Sequence, residues 1–153
     1  MRMSASYEKA VDHQTPEPRT LGTRLHRLPE RRDDRGTLSF AELGTHLPFE
    51  VKRYFLIYDV KPQETRGQHA HRALHQYMLC VHGTCSVVLD DGRTRDQIVL
   101  RTPTVAIHVA PMIWVTQHAF SPDAVMLVLA SDVYDEADYL RDYDEFLRLV
   151  RAR

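Results

Sequence analysis

The feature that most constrains this chain is a run of short, strand-like segments separated by turn residues. The stretch Q-Y-M-L-C-V-H-G-T-C-S-V-V-L-D-D-G (76–92) reads as two strands broken at His82-Gly83, and it ends in Asp91-Gly92, the strongest hairpin signal in the chain. Further strand-like runs follow at 96–101, 104–110, 113–119 and 124–131. Upstream, L-G-T-R-L-H-R-L (21–28) alternates, and R-R-D-D-R-G-T-L (31–38) is a charged turn entering another strand. F-E-V-K-R-Y-F-L-I-Y-D-V (49–60) alternates and is rich in strong β formers. Then the period changes. Tyr139, Tyr143, Phe146, Leu147 and Val150 fall at helical spacing and predict one C-terminal helix within 134–150. Regular short strands with a single helix at the end predict an all-β fold, an antiparallel barrel or jelly roll. There is no βαβ rhythm, which argues against a Rossmann fold, and there are no internal repeats.

The bulk properties narrow the function. A length of 153 residues suits one domain. A net charge of −1 argues against nonspecific nucleic-acid binding. No apolar run approaches the roughly 20 residues needed to span a bilayer, and the first residues lack the apolar stretch of a signal peptide. No membrane association and a cytoplasmic location are therefore expected. Residues 1–20 are polar, contain Pro16 and Pro18 and show no periodicity; they are expected to be a disordered tail ahead of a domain at 21–153. Cys80 and Cys85 lie in or beside apolar strands and are expected to be reduced core residues.

One stretch carries the chemistry. R-G-Q-H-A-H-R-A-L-H-Q (66–76) holds His69, His71 and His75. On a strand, residues i and i+2 share a face, so His69 and His71 would point together into a barrel. G-x-H-x-H is also the first half of the metal site of cupin jelly rolls. That pattern then wants a carboxylate, but the position falls at His75 or Gln76. It wants a later histidine where P-M-I-W-V-T (111–116) has Thr116, with His118 two residues on. Three readings are open: a metal site completed by His75 and His118, barrel-lining histidines without chemistry, or acid–base work. Arg66 and Arg72 flank the pair and are expected to depress a neighbouring imidazole's pKa, favouring the neutral base.

D-R-G-T-L (34–38), P-F-E-V-K-R (48–53), R-G-Q-H-A-H-R (66–72), L-D-D-G (89–92) and A-S-D-V-Y-D-E-A-D-Y-L-R-D-Y-D (130–144) together resemble the dTDP-sugar 3,4-ketoisomerases, small cupins of deoxysugar biosynthesis. The resemblance spans about residues 25–150. It implies an isomerase acting on dTDP-4-keto-6-deoxy-D-glucose, with no metal and no cofactor, working as a homodimer that exchanges N-terminal strands. Proton transfer between C3 and C4 through an enediol needs a base at carbon and a partner near the oxygens. His69 is assigned as the carbon base and His71 as its partner. Arg35, Arg53, Arg66 and Arg72 are candidates for the diphosphate, and His118 and Tyr143 are further substrate-binding candidates.

The chain also departs from this family. It has W-V-T-Q-H (114–118) where relatives carry W-H-E-M-H, and Phe55 where they tend to show tyrosine. Val115 cannot move a proton. Tyr134, Tyr139 and Tyr143 either pack the helix on the barrel or meet the nucleotide. The competing functions are a metal-dependent cupin oxygenase or epimerase, and a noncatalytic nucleotide-sugar binding cupin. The incomplete ligand pattern predicts no stoichiometric transition metal. Metal analysis showing close to one zinc, iron or nickel per chain, with activity lost to chelator, would overturn that expectation.

Overall fold

A computed structural model describes residues 15–153. Its strands in chain order are β1 (Thr23–Arg27), β2 (Glu30–Asp33), β3 (Gly36–Ser39), β4 (Arg53–Tyr58), β5 (Arg66–His71), β6 (Gln76–His82), β7 (Cys85–Asp90), β8 (Arg95–Leu100), β9 (Val105–Val109), β10 (Trp114–His118), β11 (Val125–Ala130) and β12 (Tyr139–Leu140). One helix, α1 (Tyr143–Arg151), ends the chain. Two five-stranded antiparallel sheets form, in the orders β1-β9-β6-β11-β4 and β12-β5-β10-β7-β8. β2 and β3 make a separate hairpin. The fold is an all-β cupin-like jelly roll, one of the two architectures that the strand spacing predicts.

Alternation builds the core between the sheets. Ile57, Met78, Cys80, Ile107, Met126 and Val128 of the first sheet meet Cys85, Val87, Leu89, Ile98, Leu100 and Val115 of the second. Each such aliphatic side chain contributes roughly 1.5–3 kcal/mol by leaving water. Cys80 and Cys85 are both buried and free, and the Cys80 thiol donates to the His82 carbonyl oxygen at 2.9 Å. The break between β6 and β7 depends on Gly83. Its φ is +66°, and an added Cβ would sit 2.4 Å from Ser121 Oγ and 2.7 Å from Ala124 Cα.

The other faces of the sheets are covered unequally. On the second sheet, Ala70, Met112, Trp114, Leu140 and Phe146 form a second cluster beneath α1. On the first, Tyr77, Leu79 and Ala106 are covered by Leu47 and Phe49 of the segment between β3 and β4. Tyr54, Leu56 and Tyr58 of β4 are left exposed, Tyr54 at 67%.

Two expectations change. The helix predicted within 134–150 begins only at Tyr143. The Asp142 carboxylate accepts the Glu145 N–H at 2.8 Å and caps it, and Asp135 caps a separate 3-10 turn at Glu136–Asp138. Between them Tyr139 and Leu140 pair with His71 and Ala70 as β12, so ladder pairing displaces the helical period there. The second change concerns the tail, of which residues 1–14 lie outside the described residues. Residues 15–20, assigned to it from sequence, are held by the barrel. The Arg19 and Thr20 N–H groups donate to Asp96 Oδ2 at 2.7 and 2.6 Å, and Glu17 accepts from the Leu25 N–H and the Arg27 guanidinium. Asp142→Ala should destabilise the protein by about 1 kcal/mol in urea unfolding, the usual worth of an N-cap, with loss of helical ellipticity and retention of the β signal.

Candidate active site

β5 leaves regular pairing just before it delivers its histidines. Gly67 and Gln68 both take left-handed backbone, with φ of +78° and +59°. Against β10, Gln117 faces Arg66, Thr116 faces Gly67 and Val115 faces His69, so Gln68 is the extra residue of a β-bulge. In a regular strand Arg66 and His69 would point to opposite faces. The extra residue turns both inward, on the side of Val115 and Gln117. His71 follows on that face, while Ala70 points outward to the cluster under α1.

The two imidazoles lie edge to face, with centroids 4.9 Å apart. Tyr139 packs on both, at 4.9 Å from His69 and 4.4 Å from His71. His71 is 4% exposed, and its Nδ1–H donates to Asp138 Oδ2 at 2.9 Å. The same carboxylate accepts the Ala73 N–H through Oδ1 at 2.7 Å. His69 Nδ1 lies 3.1 Å from the Gly67 carbonyl oxygen. A carbonyl or carboxylate oxygen only accepts, so each Nδ1 carries the hydrogen, and each neutral ring keeps its lone pair on Nε2. His71 Nε2 is buried with no hydrogen-bond partner among the described residues.

Burial is the main cause lowering both histidine pKa values, and it brings His71 to about 4. His69 pushes His71 down further, with a smaller push from Arg53, while Asp138 opposes them. On His69, the Gly67 hydrogen bond opposes burial and Arg141 assists it. The sequence assigned this depression to Arg66 and Arg72. Desolvation dominates instead, and the cations that act are Arg53 and Arg141, which folding rather than chain order brings near.

Arg53 stacks its guanidinium 5.6 Å from the Phe55 ring and 5.5 Å from Tyr134, and its Nε is buried without a partner among the described residues. Arg141 lies 4.3 Å over Tyr139 and binds Glu136 through two nitrogens, at 2.8 and 3.0 Å. The Tyr134 hydroxyl donates to the same Glu136. Residues 134–141 thus wall one side of the histidine pair.

Of the eight site residues expected from sequence, the structure brings together His69, His71 and Arg53, with Arg66 farther along the same inward face. A cleft of about 430 Å³ lined by Ile57, Tyr58, Lys61 and Arg66 takes in neither histidine. Arg35 is 90% exposed at the β2–β3 turn and pairs with Asp33 at 2.6 Å. Arg72 points to α1 and pairs with Glu145 at 3.1 Å.

Tyr143 is a structural anchor rather than part of this site. Its hydroxyl donates to the buried Asp90 at 2.7 Å and its ring packs on Trp114. His118 alternates with Thr116 onto the face away from the lumen, because Val115 and Gln117 are the inward residues of β10. His75 stacks on His108, with Nδ1 3.0 Å from His108 Nε2, beside Phe49. The four histidines of the metal reading therefore do not meet.

Sequence reasoning did not single out Asp138, Glu136 or Arg141. The signal available was the density of Asp and Glu after residue 131, which marks caps and turns rather than a continuous helix. Val115 and Phe55, the departures from the family pattern, do lie inside the barrel, Val115 directly across from His69.

The chain is similar to known proteins over most of its length. The family described as WxcM-like, C-terminal (FdtA) matches residues 21–151. A TDP-4-oxo-6-deoxy-alpha-D-glucose-3,4-oxoisomerase of Aneurinibacillus thermoaerophilus is 47% identical over 118 residues, covering 77% of this chain and 85% of its own. A crystal structure of a 3,4-ketoisomerase from Helicobacter canadensis superposes with a TM-score of 0.82 at 42% identity, over 84% of this chain and 97% of that one. QdtA of Thermoanaerobacterium thermosaccharolyticum, a 3,4-ketoisomerase solved as a histidine-to-asparagine mutant with TDP-4-keto-6-deoxyglucose, superposes with a TM-score of 0.84 at 32% identity, over 87% and 96%. With a match running from the first barrel strand into the last helix, and relatives of this identity sharing the fold over nearly their whole length, the chain belongs to the WxcM-like, C-terminal (FdtA) family.

Proposed function

We propose that this protein is a 3,4-ketoisomerase that converts TDP-4-keto-6-deoxy-D-glucose to a TDP-3-keto-6-deoxyhexose. The observation that carries the reading is the pair of neutral imidazoles on β5, each engaged through Nδ1–H and each with an Nε2 lone pair. The relative that is 47% identical acts on such a sugar.

The chemistry follows from acidity. The C4 ketone acidifies the hydrogen on C3. A base removes it and O4 takes up a proton, leaving an enediol across C3 and C4. A proton delivered to C4 and loss of the O3 proton place the ketone on C3. His69 is the more open ring of the pair and takes the role of carbon base; the enclosed His71 serves as its partner. Both are neutral at pH 7, as bases must be, because burial disfavours their charged forms. Arg53, a cation with an unused buried N–H beside His71, suits the charge that develops on the enediol oxygens. Arg66, with Lys61 in the same cleft, suits the diphosphate. Val115 and Phe55 supply no proton, so the chemistry rests on the histidine pair.

Two features support a homodimer. Tyr54, Leu56 and Tyr58 form an exposed apolar stripe beside a groove lined by Val81, Leu127 and Leu129. The β2–β3 hairpin pairs with no other strand among the described residues, which suits exchange of N-terminal strands and would carry Arg35 to a partner. Among the described residues no helix is long and apolar enough to cross a membrane. An enzyme of nucleotide sugars is expected in the cytoplasm, where its substrate would be made.

His69→Asn and His71→Asn should each fold and each lose roughly 10²–10⁴-fold in kcat, the usual worth of an acid–base group. Near-normal turnover by either variant removes that residue from the mechanism. Run in D₂O, the 3-keto product should carry deuterium at C4. A hydride shift would instead leave C4 unlabelled, which mass and proton NMR would reveal.

A further inference from the structure

We infer that the Gly67–Gln68 bulge is a positioning device for His69: it turns the Gly67 carbonyl onto Nδ1, fixes the hydrogen there and leaves the Nε2 lone pair for the reaction. The inference rests on the reading of His69 as the base at carbon.

Regular strand geometry does not make this contact. In an extended strand the carbonyl of residue i lies in the plane of the sheet, aimed at a neighbouring strand, while the side chain of residue i+2 stands perpendicular to it. Here Gly67 and Gln68 are both left-handed, and the Gly67 oxygen comes within 3.1 Å of His69 Nδ1. The arrangement is costly. Gln68 is not glycine, yet it holds φ of +59°, a backbone conformation that L side chains disfavour. At Gly67 an added Cβ would lie 2.8 Å from the Val115 carbonyl oxygen, at a φ of +78°. The left-handed pair immediately precedes the reactive ring, and its effect is to re-aim both the ring and its hydrogen-bond acceptor.

The choice of acceptor matters. His71 has a carboxylate, Asp138, at Nδ1, whereas His69 has a neutral carbonyl. Both impose the same tautomer. The carbonyl lends the protonated ring less support than a carboxylate would, and burial keeps the ring neutral. Gly67 and Gln68 are thus positioning residues that act through His69.

The test reads the ring itself. Nitrogen-15 NMR of the full-length, substrate-free protein should show His69 with hydrogen on Nδ1 and a lone pair on Nε2. Gly67→Ala and Gln68→Val, which resist left-handed backbone, should reduce that tautomer. They should lower kcat by about 10–100-fold, the scale of a misplaced catalytic group, with little change in KM. The acid limb of kcat/KM should move to lower pH, because the lost carbonyl supported the protonated ring. Gln68→Asn, whose side chain tolerates left-handed backbone, should fall nearer the wild type than Gln68→Val. A wild-type His69 with its hydrogen on Nε2 overturns the inference. So do variants that lose rate at every pH while ring shifts and acid limb stay unmoved, since that leaves the bulge a purely structural feature. The NMR measurement needs no substrate, so absence of ketoisomerase turnover would remove the proposed function and still leave the tautomer decided.

Discussion

Asp138 ties the end of the chain to the strand that carries the histidines. Its carboxylate accepts from the His71 ring and from the Ala73 N–H, and its backbone oxygen accepts from the Arg72 N–H at 2.8 Å. These bonds hold the start of β12 against the end of β5. With Tyr139 and Leu140 paired there, Leu140 is delivered outward into the cluster beneath α1, and Tyr139 inward onto both imidazoles. One residue therefore fixes the tautomer of a site histidine and the path of the fifteen residues that follow it.

β5 works on two faces at once. Ala70 is small and fully buried under the helix, while His69 and His71 on either side of it face the lumen. Anchoring the outward face pins the inward one, because a slip of register would carry every side chain of the strand to the opposite face. The buried Asp90, which binds Arg95, the Gly92 N–H and the Tyr143 hydroxyl, fastens the helix to the hairpin at the far end of the same sheet. The helix is thus a brace behind the site rather than part of it.

The inside of the barrel keeps polar groups unsatisfied that a purely structural core would avoid. His71 Nε2 and Arg53 Nε are both buried without partners among the described residues, and an unpaired buried polar group costs on the order of 1–3 kcal/mol. Gln68, a left-handed residue that is not glycine, adds backbone strain beside them. Such costs persist where the surrounding structure over-determines the geometry, and here the paired strands on both sides do so.

Much of this was legible in the chain itself. The period-2 segments and the turns at His82-Gly83 and Asp91-Gly92 specified an antiparallel barrel or jelly roll, because alternation is local and glycine takes a left-handed turn without strain. H-x-H on a strand placed two imidazoles on one face by the same rule. What pattern alone did not reveal was non-local. The helical period of residues 134–142 yielded to two Asp caps and to pairing with β5, a partner nearly seventy residues away. Tyr143, Arg72 and His118 went to the outer face of the second sheet because strand and helix packing, not chain proximity, decides which side of a sheet a residue serves. Asp138 and Arg141 reached the histidines for the same reason. The sequence by itself determined which chemistry the barrel holds; only the tertiary structure decided which charges surround it, since burial and the approach of distant groups exist only once the sheets have closed on each other.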